Sequence, residues 1–372
     1  MYFIFGIGAF QAFIFSLLLL TKKEKKEADK FLAGFFFIIT LYLANIYSVK
    51  FNLWAKRPEI ILSITLVSLT YGPLLYFYVQ SLIGKEISRK KLKAHLIPII
   101  GTFLIVLPFM FHSKDEKLLY FTDKFINLPL NVSIGTFIQY LSAPIYFIWI
   151  ILILKKHKQN LKKNHSSIDK INLSWMRKLL FGVSSIWIID CMNVYALNFT
   201  DLEIHYSISW IIKLFFIFFI LLIGYYGINQ GSIFAPLHED QSKENNTLTD
   251  IKIKLISDET ADVHTQTVVD YMQKERVYLD NELRIQDVAI NLNISVHILS
   301  HIINEKLNQN FYDFVNTYRI EEAKIRLLDK QYNDLTVVAI AYDCGFNSKA
   351  TFNRLFKQYT GTTPTQYKNS NI

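Results

Sequence analysis

Four side chains near the C-terminal end are of the kinds that read nucleic acid: Lys349, Asn353, Arg354 and Lys357. Arginine pairs bidentately with guanine, and asparagine with adenine, in a major groove. Lysine on phosphate positions a protein without specifying sequence. Lys349, Asn353 and Arg354 are therefore expected at base edges and Lys357 at the backbone; the plain alternative is a solvated polar face. A second set, Asp190, Asn193 and Lys213, sits inside apolar runs. An ionised group within a bilayer is costly unless it is paired or faces a cavity. Asp190 and Lys213 fall at similar depth on consecutive spans, so they are expected to pair, near Asn193 and under an outer loop carrying Glu203 and His205. That pair is either a helix–helix clasp or the floor of an outward-facing ligand pocket.

Catalytic sets are missing. The sequence has no phosphate-binding Gly-x-x-x-x-Gly-Lys loop, no His-Glu-x-x-His and no Gly-x-Ser-x-Gly. Its two cysteines, Cys191 and Cys344, make neither a disulfide framework nor a metal spacing. No metal, cofactor or enzymatic activity is expected.

The first four residues need a helix to carry them. Gly345 suits a tight interhelical turn, and Ser348 suits an N-cap. Phe352, Leu355, Phe356 and Tyr359 then recur at helical spacing as a buried face, with the polar set opposite. Gly361 ends the helix and Pro364 starts a short final one. A half-copy lies upstream. Ser295 corresponds to Ser348, Leu299 to Phe352, Ile302 to Leu355, Ile303 to Phe356, and Asn308 to Gly361; Ala289 and Asn293 correspond to Ala341 and Gly345. This internal repeat predicts two helix-turn-helix units joined by a long helix, from about Phe311 to Lys330.

The segment from about Val263 to Lys368 resembles the DNA-binding domain of AraC-type transcription regulators. The resemblance rests on Leu283–Ala289, Leu299-Ser300, Asn316-Thr-Tyr-Arg-Ile-Glu-Glu-Ala323, Ile340-Ala341 and Gly345 to Tyr367. His301 stands where that family often has Arg, Asn308 where it often has Gly, and Lys368 where Arg is usual. The resemblance implies double-stranded DNA as partner, with His297, Ser300 and His301 as the first unit's DNA-facing positions. It also implies that Arg319 forms a structural ion pair within the domain; the plain alternative, on a helix that also carries Glu321 and Glu322, is a simple surface salt bridge. RNA polymerase and a second copy of the chain are further expected partners.

Charge alone does not give this reading. The net charge is +9, but residues 264–372 hold 12 Lys/Arg against 12 Asp/Glu, whereas residues 1–229 hold 25 against 12. The basic excess belongs to the apolar part, and only Gly345 to the end is locally basic. Hydrophobic residues make up 51% of the chain, too many for an ordinary soluble protein. Seven spans are expected: Tyr2 to Leu20, Phe31 to Val49, Ile60 to Ile83, Leu96 to Phe111, Asn131 to Leu154, Leu179 to Leu197, and Ser207 to Ile228. The first is read as a span and not a signal peptide, because the basic run follows it. Pro73, Pro98, Pro108 and Pro144 fall within spans, as kinks or ordinary membrane-helix prolines. Connections 21–30, 84–94 and 155–178 carry 5, 5 and 8 Lys/Arg, while 50–58, 112–130 and 198–206 carry 3, 3 and 0. The positive-inside rule then puts the N-terminus outside and the C-terminus in the cytoplasm of a multi-pass inner-membrane protein in contact with lipid.

The expected fold is all-α. Residues 1–229 form a seven-helix transmembrane domain, 230–262 a polar cytoplasmic linker, and 263–372 the DNA-binding domain. The linker's Ile251, Ile253 and Leu255 alternate as a short strand would, although a solvated tether fits its composition better. The expected function is a one-component regulator in which the membrane half senses a small molecule or envelope signal. The alternatives are a tether released by proteolysis, or a transporter-like protein with a DNA-binding or protein-interaction tail.

Overall fold

The computed structural model describes residues 2–122, 129–169, 171–196, 202–229 and 258–370. The linker alternation at Ile251, Ile253 and Leu255 and the side chains of Glu203 and His205 lie outside them. Among the described residues the chain is helical, with no strand. It forms two compact units. One takes in Met1–Leu154 and Leu173–Leu237, the other Lys155–Asn172 and His238–Ile372.

In the first unit, five helices among the described residues are long and apolar enough to cross a membrane: Phe3–Thr21, Glu27–Ser48, Arg89–Phe111, Leu130–Asn164 and Ile208–Ile228. The expected third span is instead two helices, Glu59–Ser68 and Tyr71–Leu82. Pro73 accounts for the break. Its ring clashes with the carbonyl four residues back, that of Leu69, where the helix is interrupted. Pro98 lies in a first helical turn and Pro108 in the first turn of a 3₁₀ segment, positions that tolerate proline. Pro144 lies inside Leu130–Asn164. That helix continues ten residues past the expected end at Leu154. The expected sixth span falls in the helix Ser174–Ala196.

Polar side chains tie these helices together. The Ser16 hydroxyl donates to the carbonyl of Ala33 at 2.9 Å, and the Asn45 amide to that of Ile60 at 3.0 Å. In an apolar setting such groups need a partner, because an unmade hydrogen bond there is expensive.

The second unit is built on the linking helix Phe311–Leu328. One side of it gives Phe311, Phe314 and Val315 to a core shared with Leu283, Ile285, Val288, Ala289, Leu299 and Ile303. The other gives Tyr312, Ile320, Ala323 and Leu327 to a core shared with Ile340, Ala341, Phe346, Phe352, Leu355 and Phe356. Each core belongs to one helix-turn-helix. The first pairs Ile285–Asn291 with Val296–His301, which runs on as a π turn through Ile302–Lys306; the second pairs Val337–Asp343 with Lys349–Thr360.

The repeat holds at the level of the backbone. Gly345 (φ 84°) and Gly361 (φ 81°) are left-handed, and so are their counterparts Asn293 (φ 53°) and Asn308 (φ 49°). Gly345 has a second constraint, since a β-carbon there would lie 2.7 Å from the carbonyl oxygen of Tyr278 and 2.8 Å from that of Leu279. One expectation fails: Tyr359 is 39% exposed instead of buried. It lies at the rim of the apolar face, with its hydroxyl 3.4 Å from that of Thr317 on the linking helix.

The two glycines predict different costs. Nothing lies within 4 Å of a β-carbon on Gly361. Gly361→Ala should therefore cost only the backbone penalty, about 1–2 kcal/mol. Gly345→Ala adds a clash with two carbonyls and should cost about 3 kcal/mol or more. Denaturant unfolding of the solubilised chain, followed by hydrogen exchange over Phe311–Leu328, measures both.

Candidate DNA interface

The second helix of each helix-turn-helix starts from a serine cap. The Ser348 hydroxyl accepts from the Thr351 amide at 3.4 Å, and that of Ser295 from the Ile298 amide at 3.2 Å. With Phe352, Leu355 and Phe356 buried, Lys349, Arg354 and Lys357 are exposed and Asn353 is half-buried. The structure thus sets all four on the outward side of one helix. Arg354 is also held from below, its Nη2 donating to the Tyr312 hydroxyl at 3.3 Å. Burial pushes the Tyr312 phenol up to about 12, so it stays neutral and adds no negative charge beside Arg354.

In the first unit His297 is exposed, while Ser300 and His301 are half-buried. The Ser300 hydroxyl accepts from the Asn304 amide at 3.1 Å. His301 is the last residue before the π turn. The two sets therefore lie on different helices, one in each unit.

Beneath both lies Arg319, 1% exposed. The expected ion pair is not found among the described residues, where its partners are carbonyls and neutral side chains. Its Nε donates to the Tyr278 carbonyl at 2.7 Å, and its Nη2 to the Asp280 carbonyl at 2.6 Å and the Ser166 hydroxyl at 3.0 Å. Its Nη1 reaches the Ser166 carbonyl at 3.1 Å and Asn316 Oδ1 at 3.4 Å. Burial lowers this guanidinium to about 10, which still leaves it charged at neutral pH. The neighbouring ion pairs use other residues. Glu322 pairs with Arg326 at 2.6 Å and with Arg276, and Glu321 pairs with Lys324 at 2.7 Å. Burial alone would raise the Glu322 carboxyl, but hydrogen bonds from Arg326 and Arg276 hold it below the usual range. Cys344 is buried in the second core, where burial pushes its thiol up to about 12, away from thiolate chemistry.

In the first unit of the fold, Asp190 and Lys213 line one cavity of about 330 Å³, together with Tyr42, Tyr71, Tyr140 and Trp187. The Tyr71 hydroxyl is buried with no hydrogen-bond partner among the described residues. Asn193 does not line this cavity; its amide donates to the Ser209 hydroxyl at 2.8 Å and links the last two helices of the unit.

A family model described as "Helix-turn-helix domain" matches residues 288–370. Residues 288–370 are an AraC-type helix-turn-helix domain. An uncharacterized helix-turn-helix transcriptional regulator of Staphylococcus aureus (strain COL) is 38% identical over 101 residues, 27% of this chain and 13% of that protein. The regulator YijO of Escherichia coli (strain K12), also uncharacterized, is 35% identical over 97 residues, 25% of this chain and 33% of that protein. The chain thus spans a small part of the relatives it matches. No solved structure matches it. Such a helix-turn-helix domain implies DNA binding, and the five apolar helices among the described residues are compatible with membrane association.

Sequence reasoning placed the helix that carries Lys349, Asn353, Arg354 and Lys357 but missed Tyr312, Asn316 and Ser166, which hold it and Arg319 from behind. Arg319→Lys keeps a charge but cannot serve acceptors on several sides at once. It should destabilise the AraC-type domain by about 3 kcal/mol, the range for a broken buried charge network, as read by denaturant unfolding.

Proposed function

We propose that the chain is a membrane-embedded one-component transcription regulator. The observation that carries this is the joining, in one polypeptide, of an AraC-type DNA-binding domain to five helices apolar enough to span a bilayer. The full reading has seven crossings over residues 1–229, with the N-terminus outside, a linker at 230–262, and the DNA-binding domain at 263–372 in the cytoplasm. The grouping of Lys155–Asn172 with the DNA-binding domain supports this topology, since the loop-charge count puts 155–178 on the cytoplasmic side. Lys349, Asn353 and Arg354 read base edges and Lys357 holds phosphate. His297, Ser300 and His301 face the neighbouring groove. A homodimer would double the site, and RNA polymerase is the downstream partner.

The sensing site is the cavity among the apolar helices. Its aromatic walls suit an apolar body, while Asp190, Lys213 and the Tyr71 hydroxyl offer polar handles. A small, largely apolar molecule with a polar end fits this chemistry. Asn193 contributes through its bond to Ser209, which fixes one cavity wall.

DNA fragments recovered from the genome by the intact chain supply the test. Arg354→Ala should weaken binding to such a fragment by about 1–3 kcal/mol and relax its sequence preference. Lys357→Ala should weaken all duplexes alike and lower the salt slope by about one. Unchanged affinity at fixed salt for both variants would remove the interface. For the sensor, Asp190→Lys and Lys213→Asp should each abolish signal-dependent occupancy, and the double exchange should restore it. Occupancy in the single variants matching that of the unaltered chain would remove the pair from sensing.

A further inference from the structure

The segment Lys155–Asn172 lies outside the matched helix-turn-helix residues, 288–370, yet it packs as part of the DNA-binding unit. Leu161 and Ile168 are 5% and 4% exposed and belong to the core of the second helix-turn-helix. Ser166, 1% exposed, is bonded on every side. Its amide donates to the Leu283 carbonyl at 3.1 Å, its carbonyl accepts from Asn316 and Arg319, each at 3.1 Å, and its hydroxyl accepts from Arg319 at 3.0 Å. Beside it, His165 forms an antiparallel backbone bridge with Arg284, at the start of the first unit. One short segment therefore touches the first unit, the linking helix and the second core.

Its last residues reach the reading helix. Ser167 Oγ accepts from the Asn347 amide at 3.1 Å. The Asp169 carboxylate accepts from the Thr351 hydroxyl at 2.8 Å. Thr351 is in the first turn of Lys349–Thr360, and Arg354 lies three residues on, on an adjoining part of the helix surface. Arg354 is reached by a second route as well. Lys162 sits 4.8 Å above the ring of Tyr312, whose hydroxyl holds Arg354, and Lys162 also pairs with Asp313 at 3.1 Å. A duplex brings about one negative charge per 1.7 Å to such a surface. A carboxylate fixed on the first turn opposes that approach.

We infer that Lys155–Asn172 is an autoinhibitory segment of the DNA-binding domain, docked through Leu161, Ser166 and Ile168, and that it withholds the second reading helix by placing Asp169 on Thr351. Its release gives DNA the first turn of that helix and takes Lys162 off the Tyr312 ring behind Arg354. The segment begins inside the Leu130–Asn164 helix, so the element that leaves the apolar unit is itself the inhibitor. The inference rests on the DNA-binding reading and adds the means of control.

Three variants of the full chain in lipid nanodiscs test it, with a duplex fragment recovered from the genome by the unaltered chain as probe. Asp169→Asn keeps the shape and removes the charge, and it should tighten binding about fivefold or more at fixed salt. Ile168→Asp should undock the segment, raising both affinity and hydrogen exchange over 161–168, while exchange in Val337–Asp343 stays protected. Ser167→Cys with Asn347→Cys should lock the segment when oxidised, with loss of binding that a reductant restores. If undocking is seen by exchange but affinity is unchanged or falls, the segment is a supporting strut and the inference is wrong. A locked chain that binds as well as its reduced form overturns it too. If the unaltered chain retains no DNA fragment, the failure belongs to the DNA-binding reading instead.

Discussion

A guanidinium sealed in a protein interior, with no carboxylate bonded to it among the described residues, is an unusual commitment, and the DNA-binding unit is arranged around one. Arg319 holds its charge with the backbone carbonyls of Tyr278 and Asp280, at the 3₁₀ turn Val277–Leu279, an asparagine on its own helix and both oxygens of Ser166. Those acceptors come from three separate stretches of chain, so the one side chain fixes the positions of all three. Desolvation is offset while these acceptors stay in place, and water must take over the two Ser166 bonds whenever that segment undocks. This makes the site directional and stiff in a way that an apolar contact is not.

Around that centre, the two helix-turn-helix units repeat one plan: a capped reading helix, a left-handed turn before it, another after it, and a buried alanine where helices meet. Much of this was legible in the chain, because each feature depends on local chemistry. Ser295 and Ser348 are caps by residue type, Gly345 and Gly361 are left-handed by residue type, and the apolar spacing of Phe352, Leu355 and Phe356 survives folding unchanged. Tyr359 extended the same pattern and yet is exposed, since an amphipathic ring at the end of a stripe can lie along the surface with its hydroxyl bonded to Thr317 on the linking helix.

The segment 155–172 was read only as a basic loop. Its two anchoring apolar residues, Leu161 and Ile168, stand singly among lysines and polar residues, without the periodicity that marks a core element. Their partners lie about 150 residues away in sequence, as the bond from Asn316 to Ser166 illustrates. Nor did Arg319 announce its partners, because main-chain carbonyls leave no trace in residue types. The split of the expected third span was readable in principle from Pro73, whose ring excludes the carbonyl of Leu69. The apolar content of 60–83 outweighed that signal. In the cavity, composition pointed to Asp190 and Lys213, but the aromatic walls that enclose them come from helices distant in sequence.

The left-handed turns differ between the halves of the repeat in one respect: the second uses glycine, the first asparagine at Asn293 and Asn308. A side chain held in that conformation costs up to about 1–2 kcal/mol, less for asparagine, at each position. The first reading helix also ends in a π turn, a looser form than the ordinary helix of its twin. The domain is thus built with a stability gradient. Its upstream half should open locally more often than its downstream half.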